Sequence, residues 1–266
     1  MAQPHYEDEQ RLAFGRVAEL YDRARPSYPA AAIDAVLDHG ALAPGADVVE
    51  VGAGTGKATA LLAARGLNVF GLEPSPEMAA VARARCAQYP GVRIVETEFE
   101  LWQPEARVPA VVSVQAWHWI TPEARYTKAH DTLVPGGTLA AIWSFPDWER
   151  CAARAALSDA YRAAAVHLPA DFPMHPDSEP TRLAGDWETE TEASGRFTAP
   201  ETLALPWSTT YATEEYLALL QTHQDHILLD DAERTRLLDA IRRAVDAGGG
   251  RLELPLVTYV CLSRRV

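Results

Sequence analysis

Cysteine is scarce in this chain of 266 residues: Cys86, Cys151 and Cys261 stand far apart and are odd in number. Such usage excludes a disulfide framework, fits a reducing compartment and offers no metal-ligand spacing. Blocks of Lys and Arg are missing too, and the formal net charge is -13. The counterion release that drives nucleic-acid binding is therefore lacking, and neither nucleic acid nor a membrane surface is expected as a partner. No apolar run approaches the roughly 18 residues that a bilayer-spanning helix needs. The opening "MAQPHYEDEQRLAF" is acidic where a secretory signal is basic and then apolar. Internal repeats and low-complexity tracts are also absent. The expectation is a soluble cytoplasmic protein, monomer or homodimer, whose 48% hydrophobic residues supply a substantial core.

What is present is an alternation. Short apolar runs, "DVVEV" (47–51), "NVFGL" (68–72), "VRIVE" (92–96), "AVVSV" (110–114) and "TLAAIW" (138–143), are separated by amphipathic segments. Continuous apolarity predicts strands covered on both faces, and the alternation predicts β-α-β units on a parallel sheet. Ser75-Pro76-Glu77 and Thr121-Pro122-Glu123 each place a hydroxyl, a proline and a carboxylate where a helix begins, and Gly66 and Gly91 stand where left-handed helix stops are expected. Upstream, Ala13, Val17, Leu20 and Ala24 trace a helix face, "RPSYP" breaks it, and a second helix turns Ile33, Val36 and Leu37 inward. Downstream come an Ala/Arg helix (about 148–166), the proline-rich loop "HLPADFPMHPDSEP", then "ETLALPW", helices near 213–223 and 231–247, and "LELPLVTYVCL". Two late strands joined by a helical connection bring the sheet to seven strands.

The strongest motif is "VVEVGAGTGKATALL", a strand running through Gly52, Gly54 and Gly56 into a helix. Glycines at such a turn allow positive φ and let a partly anionic ligand lie on bare backbone at the positive end of a helix. A phosphate-cradling P-loop needs glycine at Val51 and a hydroxyl at Ala58, and has neither. A dinucleotide fingerprint needs glycine at Lys57, so that reading is weakened by the G-x-G-x-G spacing.

With the acidic residue of "EVGAGTG" before it, this spacing resembles the class I S-adenosylmethionine-dependent methyltransferases. The resemblance covers about residues 14–145, and "YDRARPSYP" and "VQAWHWI" look most like the trans-aconitate methyltransferase-like branch. It implies an α/β, Rossmann-like, doubly wound and mostly parallel seven-stranded sheet with an antiparallel last strand, N-terminal helices and a helical insert after the fifth strand. The resulting division is an N-terminal helical cap (1–40), a cofactor-binding core (41–145), an insert or lid (146–200) and the rest of the same sheet (201–266). The implied cofactor is S-adenosylmethionine, leaving as S-adenosylhomocysteine, and the implied partner is a small organic methyl acceptor, with carboxyl O-methylation one candidate.

Residue by residue, the resemblance implies that Gly52, Gly54 and Gly56 cradle the cofactor. Glu73 in "VFGLEPSPEM", with Pro74 and Met78 beside it, would face the ribose hydroxyls. Thr97, Glu98 and Phe99 in "VETEFELW" are adenine candidates, and Gln115 and Ala116 lie near the methionine portion. Glu50 either touches the cofactor or holds the loop. Tyr21 and Arg25 precede a helix break, where the arginine meets a cofactor or substrate carboxylate or merely faces water. His118, between Trp117 and Trp119, is either a base or acceptor-orienting group or a histidine bonded within its loop; in an extended segment the tryptophans point opposite to it, at least one into the core. His223 and His226 stand three apart on a helix without a supporting ligand set, so no metal is expected. An NAD-linked oxidoreductase and a non-catalytic cofactor-binding scaffold are the alternatives.

Overall fold

The computed structural model describes residues 18–164, 174–178, 182–227 and 229–266. Seven strands form one sheet: β1 (Asp47–Val51), β2 (Asn68–Leu72), β3 (Val92–Val95), β4 (Val108–Val114), β5 (Leu133–Pro146), β6 (Glu201–Ala212) and β7 (Arg251–Arg264), in spatial order β3-β2-β1-β4-β5-β7-β6. β1 pairs in parallel with β2 and β4, while β7 is antiparallel to both β5 and β6. The expected doubly wound sheet with an antiparallel last strand is thus present. From β1 the chain goes to one side through β2 and β3, then returns to β1's other side as β4. That reversal opens a crevice beyond the carboxyl ends of β1 and β4, where ligands bind in sheets of this kind.

Alternate residues face opposite layers. Val49, Val111 and Ala141 point to one side, under Trp117, Tyr126 and Trp187. Val48, Val112 and Ala140 point to the other, against Ile33, Val36 and Leu62. The helices are α1 (Ala18–Ala24), α2 (Ala30–Gly40), α3 (Lys57–Ala63), α4 (Pro76–Cys86), α5 (Pro122–Thr132), α6 (Arg154–Ala164), α7 (Arg182–Ala193), α8 (Thr213–Leu220), α9 (Gln224–Ile227) and α10 (Asp231–Ala247). A third apolar cluster joins α6, α8 and α10 to Tyr211 of β6 and to Leu252, Leu254 and Leu256 of β7. It caps the carboxyl edge at the β5-β7-β6 end of the sheet.

Several details differ from expectation. α6 begins at Arg154, not near 148; Trp148 and Cys151 are buried before it. Helix α7 was not anticipated, and within β6 the Trp207 indole donates to Thr258 Oγ1 at 2.9 Å. Gly66 has φ +85 as expected, but Gly91 has no positive φ. A Cβ on Gly91 would come within 2.4 Å of Asn68 Oδ1, so close approach explains that glycine. Ser75 caps α4 by accepting from Met78 N. Thr121 makes no such cap; its N–H and hydroxyl both donate to Glu100 Oε1. Ala13, Val17 and most of the proline-rich loop lie outside the described residues.

Candidate active site

β1 runs directly into three left-handed glycines, Gly52 (φ +74), Gly54 (φ +56) and Gly56 (φ +78). Each has its own reason. A Cβ on Gly52 would stand 2.3 Å from the Ala116 Cβ, so two crevice loops touch only because Gly52 lacks one. Gly56, at the start of α3, lies against Ala82 of α4 and packs two helices together. At Gly54 a Cβ would meet nothing within 4 Å, so the backbone there is bare on its open side. The turn is pinned by Gly52 N and Ala53 N, which both donate to Leu72 O.

Glu73, buried at the end of β2, accepts from Gly54 N at 2.8 Å with Oε2 and from Ser75 N at 2.9 Å with Oε1. The carboxylate thereby fixes the glycine turn and the start of α4 at once. Carboxylate oxygens each carry more than one acceptor site, so such a group can take hydroxyl donors as well. Pro74 is half-buried behind it and Met78 is buried.

Glu50 faces inward and accepts from Thr59 Oγ1 at 2.5 Å. Of its two expected roles, holding the loop onto α3 is the one these contacts display. Burial, and secondarily the nearby Glu73 carboxylate, push its pKa up to about 8. The folded carboxyl therefore retains a proton that the unfolded chain releases at lower pH. Stability from this group is greatest in acid and falls as pH rises toward about 8. Glu50→Gln, which keeps an acceptor for Thr59, is expected to melt like the native protein near about pH 5 and above it beyond about pH 8. Parallel losses of melting temperature in both proteins would contradict this.

In the loop after β3, Thr97 and Glu98 are half-buried, whereas Phe99 is 2% exposed and belongs to the core. Of the three adenine candidates, Phe99 offers no free ring face in this arrangement. After β4, Gln115 adopts φ +61, donates its N–H to Ile142 O, and donates from Nε2 to Ser144 O at 3.0 Å. The next residues form a 3-10 turn (Trp117–Trp119), not an extended segment. Trp117 is buried, as expected of one tryptophan, while Trp119 stays half-exposed with its ring 4.9 Å from His118. His118 Nδ1 accepts the Trp143 indole N–H at 3.3 Å. Burial, aided by the positive charge of Arg125, pushes the imidazole's pKa down to about 4.

Helix α1 lies across from the glycine loop. Lys57 Nζ donates to Arg25 O at 2.6 Å, and Arg85 pairs with Asp22 at 2.5 Å. The Arg25 guanidinium sits over the Tyr21 ring, 4.9 Å from its centre, and donates through Nε and Nη2 to Thr222. Tyr21 and Arg25 therefore link the start of α3, beside the glycine loop, to the cap around α8. Lys57, Asp22, Arg85 and Thr222 were missed by sequence reasoning; only Lys57, weighed as part of a phosphate loop, carried any signal. His226 accepts or donates at both ring nitrogens, to Asp225 at 2.9 Å and to Tyr161 at 2.7 Å. Among the described residues no cluster of metal-ligating side chains occurs, and no helix is long and apolar enough to cross a membrane.

A methyltransferase domain model matches residues 48–137, the stretch carrying the glycine loop, Glu73 and the 115–119 turn. An uncharacterised methyltransferase of Mycobacterium tuberculosis strain H37Rv is 34% identical over 257 residues, covering 94% of both chains. Among solved structures, a chain from Anaeromyxobacter dehalogenans provisionally assigned as a type II methyltransferase superposes with TM-score 0.63 at 21% identity, covering 91% of this chain and 97% of that one. Haemonchus contortus phosphoethanolamine N-methyltransferase 2, solved with phosphomonomethylethanolamine and S-adenosylhomocysteine, superposes with TM-score 0.52 at 13% identity, covering 96% of this chain and 57% of that one. At such identities the structural likeness concerns the fold alone.

Proposed function

The chain belongs to the methyltransferase family, and from that premise we propose that it transfers a methyl group from S-adenosylmethionine to a small organic acceptor bound between the glycine loop and the helical cap. The observation that carries this reading is the junction of Gly54 and Glu73: bare left-handed backbone at a helix start, tied to a strand-end carboxylate. The fit to the cofactor is chemical. Gly54 leaves room for a ligand on the backbone, Gly52 lets the 115–116 loop close against the turn, Glu73 would offer acceptor oxygens to a pair of hydroxyls, and Thr97, Glu98, Gln115 and Ala116 would border the same crevice. Gly56, Pro74 and Met78 support this surface from behind.

S-adenosylmethionine supplies a methyl group already activated as a sulfonium, so the protein's work is alignment and exclusion of water. Gln115, held by Ile142 O and Ser144 O, sets the floor of the crevice. Helix α1, fastened to Lys57 and Arg85, provides the wall on the cap side. A base is required only by an acceptor that holds its proton at neutral pH. His118 is neutral at any pH near 7, because its pKa is pushed down to about 4, and it orients by hydrogen bonding. The pH profile of turnover is therefore expected to show no His118-dependent inflection between about pH 5 and about pH 8. An inflection near about 6.5 that disappears in His118→Gln would assign it proton transfer instead.

The dinucleotide alternative has lost its footing: Lys57 occupies the third glycine's position, and its amine is committed to Arg25 O. The scaffold alternative is tested by turnover. Accumulation of S-adenosylhomocysteine with a small-molecule extract supports transfer; tight cofactor binding with no product across such extracts would favour a scaffold.

A further inference from the structure

The break between α1 and α2, "RPSYP" (25–29), sets Tyr28 between Pro26 and Pro29. A residue before proline is confined to extended backbone, and Pro29 is itself the N-cap of α2. Tyr28 is thus presented from a stiff base. Its ring packs on the apolar layer that contains Ile33, Val48 and Leu62. That packing accounts for an aromatic ring at this position but not for the hydroxyl on it, since phenylalanine would fill the same space. Among the described residues the hydroxyl has no hydrogen-bond partner. A polar group set into a protein without a partner is rare and calls for a reason. Tyr28 is half-buried, not sealed in the core, so that reason can be a ligand.

The groups whose charges reach the hydroxyl are Tyr21, Glu50 and Arg25. Glu50 takes the Thr59 hydroxyl, Arg25 donates through Nε and Nη2 to Thr222, and the Tyr21 ring lies under that guanidinium. Glu50 also fixes where Tyr28 stands: at the carboxyl end of β1, two residues before Gly52. In the sheet order β3-β2-β1-β4, the 97–99 loop follows β3 and Glu73 follows β2. A cofactor with its adenine toward β3 and its ribose at Glu73 directs its amino-acid tail the other way, one strand spacing of about 4.8 Å, to the end of β1. Tyr28 stands at that end.

We infer that the Tyr28 hydroxyl donates a hydrogen bond to the carboxylate of the cofactor's amino-acid tail, making Tyr28 a cofactor-binding residue beside those of the glycine loop. This rests on the methyltransferase reading and deepens it. The positive charge of Arg25 favours a carboxylate over an ammonium at this point. Burial pushes the phenol's pKa far above the usual tyrosine range, so it keeps its proton and acts as a donor. With the ribose at Glu73 and the tail at Tyr28, the sulfur between them is held from both sides, which is the alignment that methyl transfer requires.

The test is calorimetric titration of the full native chain and of Tyr28→Phe with three ligands. S-adenosylhomocysteine carries the whole tail, aminopropylthioadenosine keeps the ammonium without the carboxylate, and methylthioadenosine has neither. Tyr28→Phe keeps the packed ring and should melt at the native temperature or above it. It should lose about tenfold or more in affinity for S-adenosylhomocysteine, the range of a hydrogen bond to a charged group, and bind the two truncated ligands within about twofold of native. S-adenosylhomocysteine affinity unchanged in Tyr28→Phe would overturn the assignment. So would equal losses for all three ligands, which would mean a shifted crevice, or an equal loss for aminopropylthioadenosine alone, which would mean contact with the ammonium. Native protein that binds none of the three would overturn the methyltransferase reading itself, a result distinct from these.

Discussion

Glu73→Ala should weaken S-adenosylhomocysteine binding about a hundredfold, because it deletes a carboxylate whose hydrogen bonds are worth about 1.5–3 kcal/mol each. Two separate losses contribute. The ligand's hydroxyls lose their acceptor, and the N–H groups of Gly54 and Ser75 lose theirs, so the turn that presents bare backbone is released as well. Glu73→Gln separates the two: one amide oxygen can keep one of these donors, but the amide nitrogen faces a second N–H and repels it. Calorimetry should rank native above Gln above Ala, with both variants folded. Affinity in Glu73→Ala within about threefold of native would mean that the acid is only a structural tie.

Gly52→Ala is the second large effect. The new methyl would stand 2.3 Å from the Ala116 Cβ at a residue held at φ +74, so the loop after β4 must move or the turn must open. Overpacking and left-handed strain together are on the order of 3 kcal/mol, and the melting temperature should fall by about 6 °C or more. Cofactor binding should fail in the same variant, because the displaced residues are Gln115 and Ala116. Gly54→Ala is the control. Its Cβ meets nothing within 4 Å, so only the backbone strain of about 1 kcal/mol applies, and its main loss should be of ligand affinity. Equal thermal losses in the two variants would contradict the separate roles given to these glycines.

Much of this was legible in the chain because both faces of the sheet are covered. β1 and β2 match their apolar runs to the residue, and the glycine spacing located the crevice. Other features carry no such mark. Helix α7 buries Trp187 and Thr191, and a buried threonine among acidic residues does not read as an apolar stripe. The turn at 117–119 follows a glutamine at φ +61, a conformation that sequence announces only for glycine. The ties Gly54–Glu73, Lys57–Arg25 and Arg25–Thr222 join segments 19, 32 and 197 residues apart; residue types name the partners' chemistry but not their meeting. His118 shows the same limit from the other side: its type left base and loop-bonded histidine both open, and neither its tie to the Trp143 indole nor the burial and Arg125 charge that push its pKa down to about 4 can be read from the sequence.

The most direct test of the central claim is incubation of the protein with S-adenosylmethionine labelled in its methyl group and a fractionated metabolite extract. The account predicts S-adenosylhomocysteine formation matched by label in a small organic product, lost in Glu73→Ala. Label that never leaves the cofactor, or that enters only protein or nucleic acid, would contradict it.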